Sequence, residues 1–99
     1  MEINKKQDGE SLVLQCAGRL DTTTAPMLEA ELLPAFDESE NVVLDFADLI
    51  YVSSAGLRVL LKAQKKADAI NGSLVLQNIS EEIKEVFDMT GFSDILTLE

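Results

Sequence analysis

Three short apolar runs, SLVLQ at residues 11–15, NVVLDF at 41–46 and SLVLQN at 73–78, alternate with longer segments whose apolar residues recur at helical spacing. This alternation constrains the fold more than any other feature. Strands separated by helices connect through right-handed crossovers and build a largely parallel sheet. Another extended run, EINKK, stands before QDGE, where Asp8-Gly9 signals a hairpin. The first strand is therefore expected antiparallel, at an edge. DILTLE, residues 94–99, reads as a short last strand. The predicted order is β-β-α-β-α-β-α-β. No linker, low-complexity tract or charge run divides the 99 residues, so residues 1–99 read as one domain. SLVLQ occurs twice, but its flanks do not match, which gives two similar strands and no repeat.

The helices are read from their ends. In DTTTAPMLEAELLPAF the threonines and Pro26 suit a helix start. Met27, Leu28, Leu32 and Leu33 form its stripe, and Pro34 is expected to kink or end it. SSAGLRVLLKAQKKADAING reads as a helix stopped by Asn71-Gly72. In SEEIKEVFDMTG, Ser80 can cap, Glu81 and Glu82 suit the positive end, and Gly91 terminates.

Strand alternation fixes sidedness. Leu12, Leu14 and Cys16 share a face with Val42, Leu44, Phe46, Leu74 and Leu76, while Gln15, Asp45 and Gln77 point the other way. Parallel strands covered on both faces read as unbroken apolar runs. These strands each carry a polar position, so the helices are expected mainly on one face.

Composition narrows function. There is no histidine and one cysteine, which excludes a Ser-His-Asp triad and zinc sites of the usual kind. The carboxylates are scattered, with no paired spacing suited to acid/base work. The chain reads as no enzyme, with no cofactor and no metal. Cys16, in an apolar run, reads as a small buried hydrophobe. A lone cysteine forms no intrachain disulfide, and a reducing cytoplasm is the expected compartment. MEINKKQDGE has no apolar core and so is no signal peptide, and no apolar run is long enough to span a membrane. The net charge of −10 argues against nucleic acid and anionic membrane as partners. It fits a basic protein partner, and it also fits solubility alone.

One stretch stands out: YVSSAGLRVLL, residues 51–61. Gly56 sits in what reads as the first turn of a helix, where glycine costs about 1 kcal/mol relative to alanine. Ser53 and Ser54 stand at the helix start. A hydroxyl there can cap the helix, and a helix N-terminus also tolerates an anion such as a phosphate. No Glu or Gln follows at capping-box spacing. Further along, Val59, Leu60, Ala63, Ala67 and Ile70 gather on one side, widened by Leu57 and Leu61. Arg58, Lys62 and Lys65 line the opposite side, as a solvated face or as a docking surface beginning at the serines.

YVSSAGLRVLL, preceded by NVVLDFADLI, resembles the signature of STAS domains, and of the bacterial anti-sigma factor antagonists in particular. GRLDTTTAPMLEAELLPAF is similar to their first loop and helix, and GSLVLQNISEEIKEVFDMTGFSDIL to their C-terminal half. The resemblance implies a single small α/β domain, with a mixed, mostly parallel sheet of about five strands and helices mainly on one face. The family motif is Asp-Ser-Ser/Thr-Gly-Leu, with its first serine phosphorylated. Matching Gly56-Leu57 to Gly-Leu puts that serine at Ser54. Ser53 takes the place of the aspartate, and Arg58 stands where glycine is common. Partner contacts are implied at Ser53, Ala55, Gly56, Arg58 and Lys62, and at Asp21, Thr22 and Thr23. The implied partners are an anti-sigma factor that is also a serine protein kinase, and a PP2C-like phosphatase that resets the switch. The alternative is a STAS module that is never phosphorylated and serves as a binding subunit of a transport or other signalling complex.

Overall fold

The computed structural model describes residues 1–99. Strands β1 (Glu2–Asp8) and β2 (Ser11–Leu20) form the expected hairpin. Then follow α1 (Ala25–Glu38), β3 (Asn41–Val52), α2 (Ser54–Ala69), β4 (Ser73–Gln77), α3 (Glu81–Thr90), a 3-10 turn at Phe92–Asp94, and β5 (Thr97–Leu98). The sheet order is β1-β2-β3-β4-β5. β1 is antiparallel to β2, and every later pair is parallel. Each crossover steps in the same direction, so right-handed connections bring all three helices to one face.

Register confirms the sidedness. Leu14, Leu44 and Leu76 lie side by side and are fully buried. Gln15, Asp45 and Gln77 lie side by side on the open face. There they find polar partners: Asn78 Nδ2 donates to Asp45 Oδ1 at 3.0 Å, and Gln77 Nε2 to Glu99 Oε1 at 2.9 Å. Cys16 belongs to the core, and its burial pushes the thiol up to about 12. It holds no thiolate at neutral pH. No helix is long and apolar enough to cross a membrane.

Several expectations need correction. Pro34 does not end α1, which runs on to Glu38. Pro34 is exposed, and its missing N–H removes one bond on the solvent side of the helix. The buried stripe is Ala25, Leu28, Leu32, Ala35 and Phe36, while Met27 is 49% exposed. Ile70 caps α2 beyond the buried face and is exposed. β3 runs on from Phe46 to Val52, where the apolar spacing changes to Phe46, Leu49, Val52. Register shifts against β2 account for that break in alternation. The last strand is only Thr97–Leu98, because the chain before it makes a 3-10 turn.

At the stop after α2, Asn71 takes the left-handed conformation at φ 57. Gly72 is there for closeness: a Cβ on it would fall 2.3 Å from the Glu40 carbonyl oxygen.

Candidate functional site

The two serines at the β3–α2 junction have different environments. Ser53 is the N-cap, with extended backbone at φ −95 and ψ 174. Its Oγ accepts from the Gly56 N–H at 3.3 Å, and its carbonyl accepts from the Leu57 N–H at 2.9 Å. Its own N–H donates to the Leu20 carbonyl at 2.8 Å. Ser53 is therefore fixed by three hydrogen bonds. Ser54 is the first residue of α2, and its side chain is exposed. Its hydroxyl takes part in no hydrogen bond. It stands in the turn where α2 leaves backbone N–H groups without helical partners and where the dipole favours negative charge.

Gly56, expected among the partner contacts, is buried in the domain itself. It faces Leu20, the fully buried last residue of β2. The absent side chain lets α2 settle against β2, so Gly56 serves the site from below.

Leu20 leads into the Asp21–Thr24 loop, which stands beside the serines. Asp21 Oδ1 accepts from the N–H groups of Thr23 and Thr24, both at 3.0 Å. Thr24 Oγ1 donates to the Arg19 carbonyl at 2.7 Å and accepts from the Asp21 N–H at 2.8 Å. The Thr24 backbone N–H is the main cause that holds the Asp21 carboxyl below its ordinary value. Asp21 is thus spent on shaping the loop, and Thr22 and Thr23 present exposed side chains.

Of the basic stripe, Lys62 is committed: its Nζ lies 2.9 Å from Glu29 Oε1 and ties α2 to α1. Arg58 and Lys65 are exposed and form no ion pair. Arg58 borders a groove of about 260 Å³ between α1 and α2, floored by Ala25, Ala55 and Val59 and edged by Thr22, Glu29 and Lys62. The structure brings Thr22, Ala55, Arg58 and Lys62 onto one surface beside Ser54.

Sequence reasoning missed a feature at the end of β3. The Arg19 guanidinium lies 4.2 Å from the centroid of the Tyr51 ring, and both residues are exposed. Aromatic and arginine side chains of this kind often anchor protein interfaces. The signal lay in the apolar LIYV after Asp48, which extends the strand toward the serines.

The profile of the STAS domain matches residues 2–99. The chain is 31% identical over 98 residues to the anti-sigma-B factor antagonist of Bacillus subtilis, covering 99% of this chain and 90% of that protein. It is 40% identical over 88 residues to the putative anti-sigma factor antagonist BtrV of Bordetella bronchiseptica, covering 87% and 76%. In fold it is similar to the Bacillus cell fate determinant SpoIIAA in its phosphorylated form, with a TM-score of 0.75 at 20% identity, covering 99% of this chain and 91% of that one. With a five-stranded sheet, three helices on one face and a serine pair at the entrance of the second helix, this chain belongs to the STAS domain family.

Proposed function

We propose that this domain is an anti-sigma factor antagonist switched by phosphorylation at Ser54. Unphosphorylated, it binds an anti-sigma factor that is also a serine kinase, and so frees a sigma factor. The observation that carries the residue assignment is the division of labour between the serines: Ser53 is consumed as the cap, while Ser54 offers a free, exposed hydroxyl. Relatives named anti-sigma factor antagonists support the activity, and SpoIIAA, of the same fold, has been solved in a phosphorylated form.

The chemistry is transfer of the ATP γ-phosphoryl group to Ser54 Oγ, with loss of the hydroxyl proton and release of ADP. The domain supplies the acceptor and no catalytic group. Phosphate adds about −1.5 to −2 charges at neutral pH. The first turn of α2 tolerates that charge, so the fold survives while the surface around Thr22, Ala55 and Arg58 changes sign. A PP2C-like phosphatase restores the binding form.

The test is incubation with candidate serine-kinase anti-sigma factors and ATP, followed by mass spectrometry. One phosphate on Ser54, with loss of the complex, is the expected result. A phosphate on Ser53, Thr22, Thr23 or Thr24 overturns the assignment. If no kinase modifies the domain and Ser54→Asp binds its partner as well as wild type does, a passive STAS binding module replaces the switch.

A further inference from the structure

β3 outruns the strand beside it. β4 pairs with it only from Asn41 to Asp45, and beyond that point β3 continues to Val52 against β2 alone. The other edge of residues 46–52 meets no strand. Ile50 lies on this stretch and is 65% exposed. Opposite it stands the first turn of α3. Ala47, Leu49 and Ile50 on one side and Ser80, Glu81 and Glu82 on the other wall an open groove of about 370 Å³. No lysine or arginine lines it. Glu81 and Glu82 are exposed, and neither forms an ion pair. A free strand edge offers backbone donors and acceptors; here the Ala47 N–H is already taken by Asp45 Oδ1, which leaves the residues beyond it. The edge comes with an apolar contact and two uncompensated carboxylates, Glu81 and Glu82.

We propose that this edge of β3, at Asp48–Tyr51, is a second docking surface that takes an extended basic segment of a protein partner as an added strand. Main-chain pairing supplies the affinity in this mode, and side chains at alternate positions supply the selectivity. An apolar residue of the incoming strand would meet Ile50, and lysines or arginines would meet Glu81 and Glu82. Charge selects this occupant over a second copy of the chain, which carries a net charge of −10. The groove shares no lining residue with the one beside Ser54, and docking there requires no phosphorylation.

The test is a titration of the isotope-labelled full chain, followed by amide chemical shifts, with an end-blocked peptide of alternating lysine and valine. The expected result is saturable shifts confined to residues 46–51 and 80–82, with slowed hydrogen exchange at the edge. Glu81→Lys combined with Glu82→Lys should weaken binding about tenfold, with an unchanged far-ultraviolet spectrum. Ile50→Ser should weaken it as well. The proposal is overturned if no saturable shift appears at millimolar peptide, if shifts scatter over all acidic surfaces, or if a glutamate-valine peptide binds equally. Concentration-dependent shifts at the edge without peptide would overturn it in favour of a second copy. No kinase is used, so failure of the switch at Ser54 would leave this result untouched.

Discussion

Gly56 rests directly on Leu20: a Cβ at Gly56 would fall 2.6 Å from Leu20 Cγ and 2.9 Å from Cδ2. The same leucine's carbonyl accepts the Ser53 N–H at 2.8 Å. One residue of β2 therefore sets both the depth and the start of α2. Gly56→Ala gains up to about 1 kcal/mol in helix propensity but overpacks the contact, which costs roughly 1–3 kcal/mol. The expected net effect is destabilisation of about 1–2 kcal/mol in urea unfolding. The double variant Gly56→Ala/Leu20→Val should be less destabilised than the sum of its parts, by about 0.5 kcal/mol or more. Strict additivity would show that the contact does not set the helix.

The serines separate by stability. Ser53→Ala removes the hydroxyl that accepts from Gly56 N–H and should cost about 1 kcal/mol, within the range of lost N-caps. Ser54→Ala removes an exposed hydroxyl with no partner and should change stability by less than about 0.5 kcal/mol. Ser53→Asp should keep the cap, because aspartate caps as well as serine and its charge suits the helix start. Thermal melts of the three variants decide this, and equal losses at Ser53 and Ser54 would contradict the assignment.

These two sites also show what the sequence could carry. Strand order, the antiparallel edge and the open face of Gln15, Asp45 and Gln77 were legible, because period-2 alternation and crossover handedness are local rules. The roles of Ser53 and Ser54 were not, because both are good caps and only the backbone at Ser53 decides between them. Gly56 was legible only as a costly residue in the first turn of a helix. Its real neighbour, Leu20, lies 36 positions away in sequence, and no periodicity reports such a contact. Tyr51 and Ile50 were hidden by the register shifts that break the alternation of β3. The pairing of Lys62 with Glu29 on α1 was equally out of reach, because the two residues lie 33 positions apart.

That ion pair gives a third prediction. Both side chains are partly exposed, so Lys62→Ala should cost only about 0.2–1 kcal/mol, and less in high salt. Arg58→Ala breaks no ion pair and should leave stability within about 0.5 kcal/mol. If the surface beside Ser54 meets acidic groups of a partner, Arg58→Glu should slow association at low salt with no change in melting temperature. An on-rate unmoved by this reversal would take Arg58 out of the interface.

Part of the acid sensitivity should be traceable to Asp45 and Asp21. The Asn78 amide, and after it the Ala47 N–H, hold Asp45 below its ordinary 3.8 despite some desolvation. Asp21 is lowered from the same value, chiefly by the Thr24 N–H. A carboxyl with a lowered folded value stabilises above the unfolded value of about 3.9, and that contribution is lost as pH falls through the folded value. Stability should therefore decline below about pH 4, and Asp45→Asn should flatten part of the decline. Carboxyl chemical shifts followed by nuclear magnetic resonance should show both groups titrating below the ordinary aspartate value. Midpoints at the ordinary value would remove these hydrogen bonds from the account.

The last prediction concerns the switch. Ser54→Ala should fold like wild type, bind the kinase partner and stay bound when ATP is added, because the acceptor oxygen is gone while the surface is unchanged. Ser54→Asp should bind more weakly but incompletely so, since a carboxylate has less charge and fewer acceptor oxygens than phosphate. Phosphorylation itself should cost several kcal/mol of binding, the size of the penalty when a buried charge in an interface has no partner. At about 1.4 kcal/mol per factor of ten, that turns a tight complex into a negligible one. Arg58 sets a limit on the loss. It lies one turn along α2 from Ser54, at i,i+4 spacing, and has no acidic partner of its own. It can therefore offset part of the phosphate charge within the domain. In an Arg58→Ala background the phosphorylated form should bind more weakly still, relative to its own unphosphorylated form, than in wild type. Calorimetric titration of the four forms against one partner measures this coupling directly. A ratio unchanged by Arg58→Ala would place the phosphate out of reach of Arg58 and leave repulsion by the partner as the whole cause of release.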